Sequence, residues 1–146
     1  MFQVNQSAGF LLGSLAKKTA GRFLQLMQSE KIDIGLSGWI VLSRLWEEDG
    51  LSQQEISERS GVAKPNISTY IDSLEKGDYV VRVDDTADRR NYKIYMTQKA
   101  KKLKEKCQSL AQQSNDETMQ PLTDAEKEKF LELLVKMQYK NLLSEL

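Results

Sequence analysis

The sequence predicts a mainly α-helical domain with one small β-hairpin, and three observations lead there. Apolar residues recur at three-to-four spacing in six separate stretches, the mark of helices with one buried face. The period switches to strict alternation only once, between residues 80 and 96. A chain of 146 residues, 40% of them hydrophobic, has the length of one domain and enough apolar side chains to fill its core without cross-links.

The first helix spans about Ser7 to Ser29, where Ala8, Leu12, Leu15, Ala16, Ala20, Phe23, Leu24 and Met27 lie on one face. Ser37 is the expected cap of the second helix, Gly38 to Glu48, whose Trp39 or Ile40, Leu42, Leu45 and Trp46 read as mostly buried. Asp49-Gly50 ends it. Ser52 and Glu55 form a capping box, in which each side chain satisfies the other residue's backbone N–H, and it opens a short third helix to about Arg59. Ser60-Gly61 breaks that helix. A fourth opens near Ala63 with Pro65 in its first turn, where a missing N–H costs nothing, and runs to Lys76 with Ile67, Ile71 and Leu74 on one face. Gly77 is expected to close it in a left-handed conformation.

Val80 to Val83 and Tyr92 to Met96 then alternate as two strands around a charged loop, Asp84 to Asn91. Thr97 caps a fifth helix with the seam Ala100, Leu103, Cys107, Leu110 and Ser114, and Pro121 stops it. Thr123 and Glu126 make a second capping box. It opens a last helix with Phe130, Leu133, Leu134 and Met137 expected inward.

Composition removes several classes of function. There is no histidine and only one cysteine, so His-based triads, His-containing zinc sites, Cys-only metal sites and internal disulfides are excluded. No paired carboxylates stand out from surface charge, and an enzyme is not expected; nor is a cofactor. The longest apolar runs, such as Trp39 to Leu42, are far short of the ~18 residues that span a bilayer. The stretch Met1 to Ser7 lacks the basic start of a secretory leader, which leaves the reducing cytoplasm as the expected compartment.

Net charge is zero, yet charge is unevenly placed. From Thr86 to Lys106 eight basic residues face two acidic ones, while Asn115 to Leu146 carries a net charge of minus three. Such a basic block suits a polyanion or, more mundanely, a solvated helix face.

Two short helices joined by a Ser-Gly turn and followed by a hairpin make a winged helix-turn-helix. In that arrangement the second helix, here Ala63 to Lys76, enters the major groove of DNA. Lys64, Pro65, Asn66, Ser68, Thr69 and Ser73 lie at its start or away from its apolar face. Asn can take adenine with two hydrogen bonds, and Lys can donate to guanine.

With these elements in place, the segments VAKPNISTYIDS and LEKGDYVVRVDDTADRRNYKIYMTQKAKKL resemble the MarR family of bacterial and archaeal transcription regulators, and GFLLGSLAKKTAGRFLQLMQSEKIDIGLSGWIVLSRL resembles that family's first two helices. The matching features are Leu74, Glu75, Gly77, Val80, Asp85, Asp88, Arg90 and Thr97. The resemblance implies a homodimer on a pseudo-palindromic duplex operator. Residues 1–34 and 98–146 would form the helical dimerisation region and residues 35–97 the DNA-binding region.

It also implies roles in the wing. Arg90 would reach the minor groove, where a guanidinium meets concentrated negative potential, and Asp88 would pair with an Arg and hold the wing in shape. Arg89 and Lys93 are phosphate-contact candidates, with Lys99, Lys101 and Lys102 adding to the electrostatic footprint, while Lys104 and Lys106 are expected to be solvated. Many relatives carry Arg where this chain has Thr69, so its operator preference is expected to differ or to lean on Lys64 and Asn66.

Such regulators commonly repress until a phenolic or lipophilic compound, or an oxidant, acts near the junction of the two regions. Phe10, Phe23, Trp39, Arg44 and Trp46 are available to line such a cleft, although aromatics at helical spacing read first as core. Cys107, on an apolar seam, is expected to be a buried structural thiol. Peroxide-sensing relatives carry their cysteine near the N-terminus, where this chain has none, and the lack of histidine argues against zinc sensing. The competing reading is a winged-helix protein-interaction module without DNA binding, which the neutral net charge and a pI near 6.4 favour.

Overall fold

The computed structural model describes residues 1 and 3–144, with side chains through residue 139. Phe2, in the first helical region, and Glu145, counted in the acidic C-terminal segment, lie outside the described residues, as does the Lys140 side chain.

After a 3₁₀ turn at Val4–Gln6, Ser7 caps α1 (Ala8–Ser29) by accepting from the Phe10 N–H. Helix α2 is Gly35–Glu47, β1 is Leu51–Ser52, α3 is Gln53–Ser60 and α4 is Lys64–Lys76. The wing strands are β2 (Val80–Asp84) and β3 (Tyr92–Met96), followed by α5 (Gln98–Met119) and α6 (Asp124–Ser144). This is a winged helix-turn-helix with long helices before and after it.

Three expectations need correction. Helix α2 begins at Gly35, with Ile34 at its N-cap and no side-chain cap, so Ser37 sits inside the helix. Burial replaces the cap: Ile34 is 7% exposed, and a Cβ on Gly38 would stand 2.8 Å from the Ile34 Cβ and 3.1 Å from Leu74. That close approach packs α2 on α4. Gly77 is not left-handed (φ −85°); Asp78 takes that turn at φ 61°. Gly77 is instead required because a Cβ there would meet the Tyr79 ring at 2.9 Å. Finally, β1 pairs Leu51 with Ile94 and Ser52 with Lys93, making a three-stranded antiparallel sheet in the order β1-β3-β2.

The core lies where the C-terminal half of α1 meets α2, α3, α4, the sheet and the first half of α5. Met27, Val41, Leu42, Ile56, Ile67, Ile71, Ile94, Ala100 and Cys107 are fully buried there. Helix α1 is held along α5 by Arg22, whose Nη2 donates to Glu117 Oε1 at 3.1 Å, and by the Thr19 and Thr118 hydroxyls 2.8 Å apart. This pairing holds the Glu117 carboxyl down at about 2, chiefly through the Arg22 hydrogen bond.

Helix α6 packs sparsely on its own chain. Its expected inward face is only partly so: Phe130 and Leu134 are half-buried, whereas Leu133 and Met137 are 44% and 50% exposed. The opposing residues of α1, Leu11, Leu12 and Leu15, are exposed too. Between them runs an apolar groove of about 870 Å³. No other described element of the chain covers it.

Candidate nucleic-acid interface

The helix-turn-helix is fixed by local chemistry at each boundary. Ser52 Oγ accepts from the Glu55 N–H at 3.1 Å, and Glu55 Oε2 accepts from the Ser52 N–H at 2.7 Å. That backbone N–H is the main reason the Glu55 carboxyl is held below its ordinary range, with the Lys93 ammonium a lesser contributor. Gly61, left-handed at φ 70°, ends α3 with its N–H on the Ser57 carbonyl, and Ser57 Oγ donates to the Val62 carbonyl at 2.7 Å. Pro65 then sits in the first turn of α4.

Ile67, Ile71 and Leu74 anchor α4 in the core. At 100° per residue this turns Pro65, Asn66, Thr69 and Ser73 outward, and all four are exposed, as is Lys64 at the first turn. Two side chains are less available than the others. Thr69 donates its hydroxyl to the Pro65 carbonyl at 3.2 Å, which leaves it free to act only as an acceptor. Ser68 is half-buried on the side of α4 that faces β2.

That side holds the residue the sequence did not single out. Arg82, alternating with Val81 and Val83 on β2, turns inward and is only 17% exposed. Its Nη2 donates to Asp72 Oδ1 at 2.6 Å and to the Ser68 carbonyl at 3.3 Å, and its Nη1 donates to Glu75 Oε1 at 3.1 Å. Glu75 Oε2 also accepts from the Arg82 N–H at 3.2 Å, capping the open edge of the wing sheet. The signal was available in outline: an Arg between valines in a strand, with two carboxylates one helical turn apart just upstream.

At the wing tip, Asp88 Oδ1 accepts from the Arg90 N–H at 3.1 Å and from Arg90 Nε at 3.3 Å, while its Oδ2 accepts from Asn91 Nδ2 at 3.3 Å. Asp85 Oδ1 folds the other half of the tip by accepting from the Ala87 N–H at 3.0 Å. The Arg90 side chain is 91% exposed and Arg89 is exposed beside it. Asp88 thus ties together the backbone and side chains of the tip. Lys93 is half-buried near Glu55.

The lysines of α5 divide differently from the expectation. Lys99 is tied down, donating to the Gly77 carbonyl at 2.8 Å and lying 4.2 Å over the Tyr79 ring. Lys104 donates to the Trp46 carbonyl at 3.2 Å, and Lys106 pairs with Glu30 at 3.0 Å, so neither is simply solvated. Lys101 and Lys102 are exposed.

Of the residues considered for a small-molecule cleft, Phe23 and Trp39 meet edge to face at 4.8 Å. Both line a cavity of about 600 Å³ between α1, α2, α5 and α6. Trp46 is buried core, Arg44 pairs with Glu47 at 3.3 Å, and Phe10 lies exposed on α1, none of them in the cavity lining. Among the described residues, none that lines this cavity is charged. Among the described residues, no cluster of His, Cys, Asp and Glu is placed to hold a metal, and no helix is long and apolar enough to cross a membrane.

Residues 36–92 match the model of the MarR family. The chain is 31% identical over 75 residues to the HTH-type transcriptional regulator SarZ of Staphylococcus aureus, a match covering 51% of each sequence; it therefore spans about half the length of that curated relative. Its fold is similar to a MarR transcriptional regulator from Methanosarcina mazei Go1, with a TM-score of 0.83 and 25% identity over 94% of this chain and 97% of that one. It is also similar to Bordetella bronchiseptica BpsR, whose DNA binding is regulated by 6-hydroxynicotinic acid, with a TM-score of 0.85 and 22% identity over 94% and 97% of the two chains.

Proposed function

We propose that the chain is a member of the MarR family and, on that premise, a homodimeric, sequence-specific DNA-binding transcriptional regulator, a repressor relieved by a small ligand. The observation that carries this reading is the wing tip. A guanidinium held 91% exposed by a carboxylate folded back beneath it serves little purpose in the isolated chain, because an exposed ion pair adds little stability. It is well suited to a narrow minor groove. The outward face of α4, with Lys64, Pro65, Asn66, Thr69 and Ser73, supplies the major-groove contacts on this reading, Ser68 contributes at its edge, and Arg89 and Lys93 add to the attraction for phosphate.

Dimerisation is supported by the bare apolar faces of α1 and α6. Residues 1–34 and 98–146 form the pairing region on this proposal, residues 35–97 the DNA-binding region, and two recognition helices about one duplex turn apart, ~34 Å, read a pseudo-palindrome. Its place of work is then the cytoplasm, where the DNA is.

For the ligand, the cavity beside Trp39 has a volume in the ordinary range for small-molecule sites. Its lining offers apolar side chains, the Thr19, Ser114 and Thr118 hydroxyls and the Gln112 and Asn115 amides but, among the described residues, no cation, which favours an uncharged phenolic or lipophilic compound over a carboxylate.

The test is retardation of the DNA upstream of the chain's own gene, measured across salt concentration. Binding whose affinity falls steeply with salt supports the proposal. No retardation at low salt would favour the protein-interaction module instead.

A further inference from the structure

We infer that Arg82 is a positioning residue that locks the wing to the recognition helix, so that α4 and the Arg90-bearing tip meet DNA as one rigid body. The inference rests on the DNA-binding reading above, and it concerns a residue that makes no DNA contact itself. A guanidinium offers five N–H donors in a fixed plane, and Arg82 directs these onto Asp72, Glu75 and the Ser68 carbonyl, spanning more than one turn of α4. At 17% exposure it is too enclosed to serve as a phosphate clamp, and its charge is already matched by two carboxylates. Those carboxylates are themselves out of place on a helix that approaches a polyanion, unless they hold something.

Their position sets two explanations against each other. Were Asp72 and Glu75 only surface charge, removing them would lower repulsion from DNA and tighten binding. As the acceptors that fix the wing, their removal loosens it although the protein becomes more positive.

The experiment uses the full chain with Asp72→Asn and Glu75→Gln together, and separately Arg82→Lys, which keeps the charge but loses the fork. Each is measured by fluorescence anisotropy on the upstream duplex across salt, alone and combined with Arg90→Ala, with thermal melting to check folding. The expected result is binding weakened roughly ten-fold or more in both, the scale of a lost charge-assisted hydrogen bond. The Arg90→Ala loss should largely vanish in either background, because the tip is no longer delivered to its groove.

Amide hydrogen exchange of Val81, Val83 and Tyr92 in the absence of DNA should accelerate as well. Unchanged or tighter binding by the carboxylate variant, or an Arg90→Ala loss of full size in both backgrounds, overturns the inference. If the wild-type chain shows no DNA binding, the exchange measurement separates the two ideas: faster wing exchange supports the tie while the DNA reading falls, and unchanged exchange removes both.

Discussion

Trp46 Nε1 donates a buried hydrogen bond of 3.0 Å to the carbonyl oxygen of Ala100, fastening the end of α2 to the first turn of α5. The Lys104 ammonium closes the same junction from the other side through the Trp46 carbonyl. Helix α2 packs on the recognition helix and α5 runs back along α1, so this junction is where the winged module is joined to the flanking helices.

Trp46→Phe tests that junction. It removes the indole N–H and part of a 7%-exposed side chain, and the expected cost is about 1–3 kcal/mol, from one lost hydrogen bond and a small cavity. Chemical denaturation should show a lower midpoint with an unchanged slope. An unaltered midpoint would mean that the hydrogen bond adds nothing to stability.

Arg90→Ala separates stability from DNA binding. The side chain is 91% exposed and its partner Asp88 is held by other donors, so the melting temperature should hardly change. Affinity for the duplex should fall, and the log-log salt slope should become shallower by up to ~0.9. A full slope and affinity in the variant would take the wing out of the mechanism.

Helices α1, α3, α5 and α6 were legible because each carries its own punctuation. Ser7, Ser52, Thr97 and Thr123 all cap the helices they precede, and the seam from Ala100 to Ser114 is buried except for half-exposed Leu103. The misreadings share one cause, that the deciding contact is distant in the chain. Strand β1 is two residues long, too short to carry a period, and exists because Leu51 meets Ile94; Gly50 admits it only because a Cβ there would strike the Tyr95 ring at 2.7 Å. Arg82 reads as one more charge in a polar wing until the fold brings Asp72 and Glu75 to it. The α6 face is apolar as read, but Leu133 and Met137 stay exposed within the chain, because a period marks an apolar face without saying what packs on it.

Cys107 should be unreactive in the folded protein. It is fully buried, and burial alone pushes its thiol up to about 11. Thiol reagents should label it only at the rate at which the protein opens, and peroxide should leave duplex affinity unchanged. The shift also fixes a pH dependence. The folded state holds this proton more tightly than the unfolded state, so the associated stability is fully present below the ordinary thiol value of 9.0 and is lost as pH rises toward about 11. Cys107→Ala should flatten that alkaline decline. A decline of the same size in the variant would assign it to other groups.

Met137→Asp probes the apolar groove between α1 and α6. In a lone chain the substitution is mild, because Met137 is 50% exposed and touches little of its own molecule. In a pair of chains that bury this groove against each other, it sets an unpaired carboxylate inside an apolar contact, and desolvation of that charge costs more than the contact returns. The expected outcome is a wild-type solution mass of twice 16.7 kDa, a variant that shifts toward the single-chain mass at low concentration, and a near-native helical signal in both. Duplex binding should weaken together with dimerisation, since each half-site contact then forms without its tethered neighbour. A wild-type chain already running at the single-chain mass would refute the pairing, and a variant that remained dimeric would move the interface away from this groove.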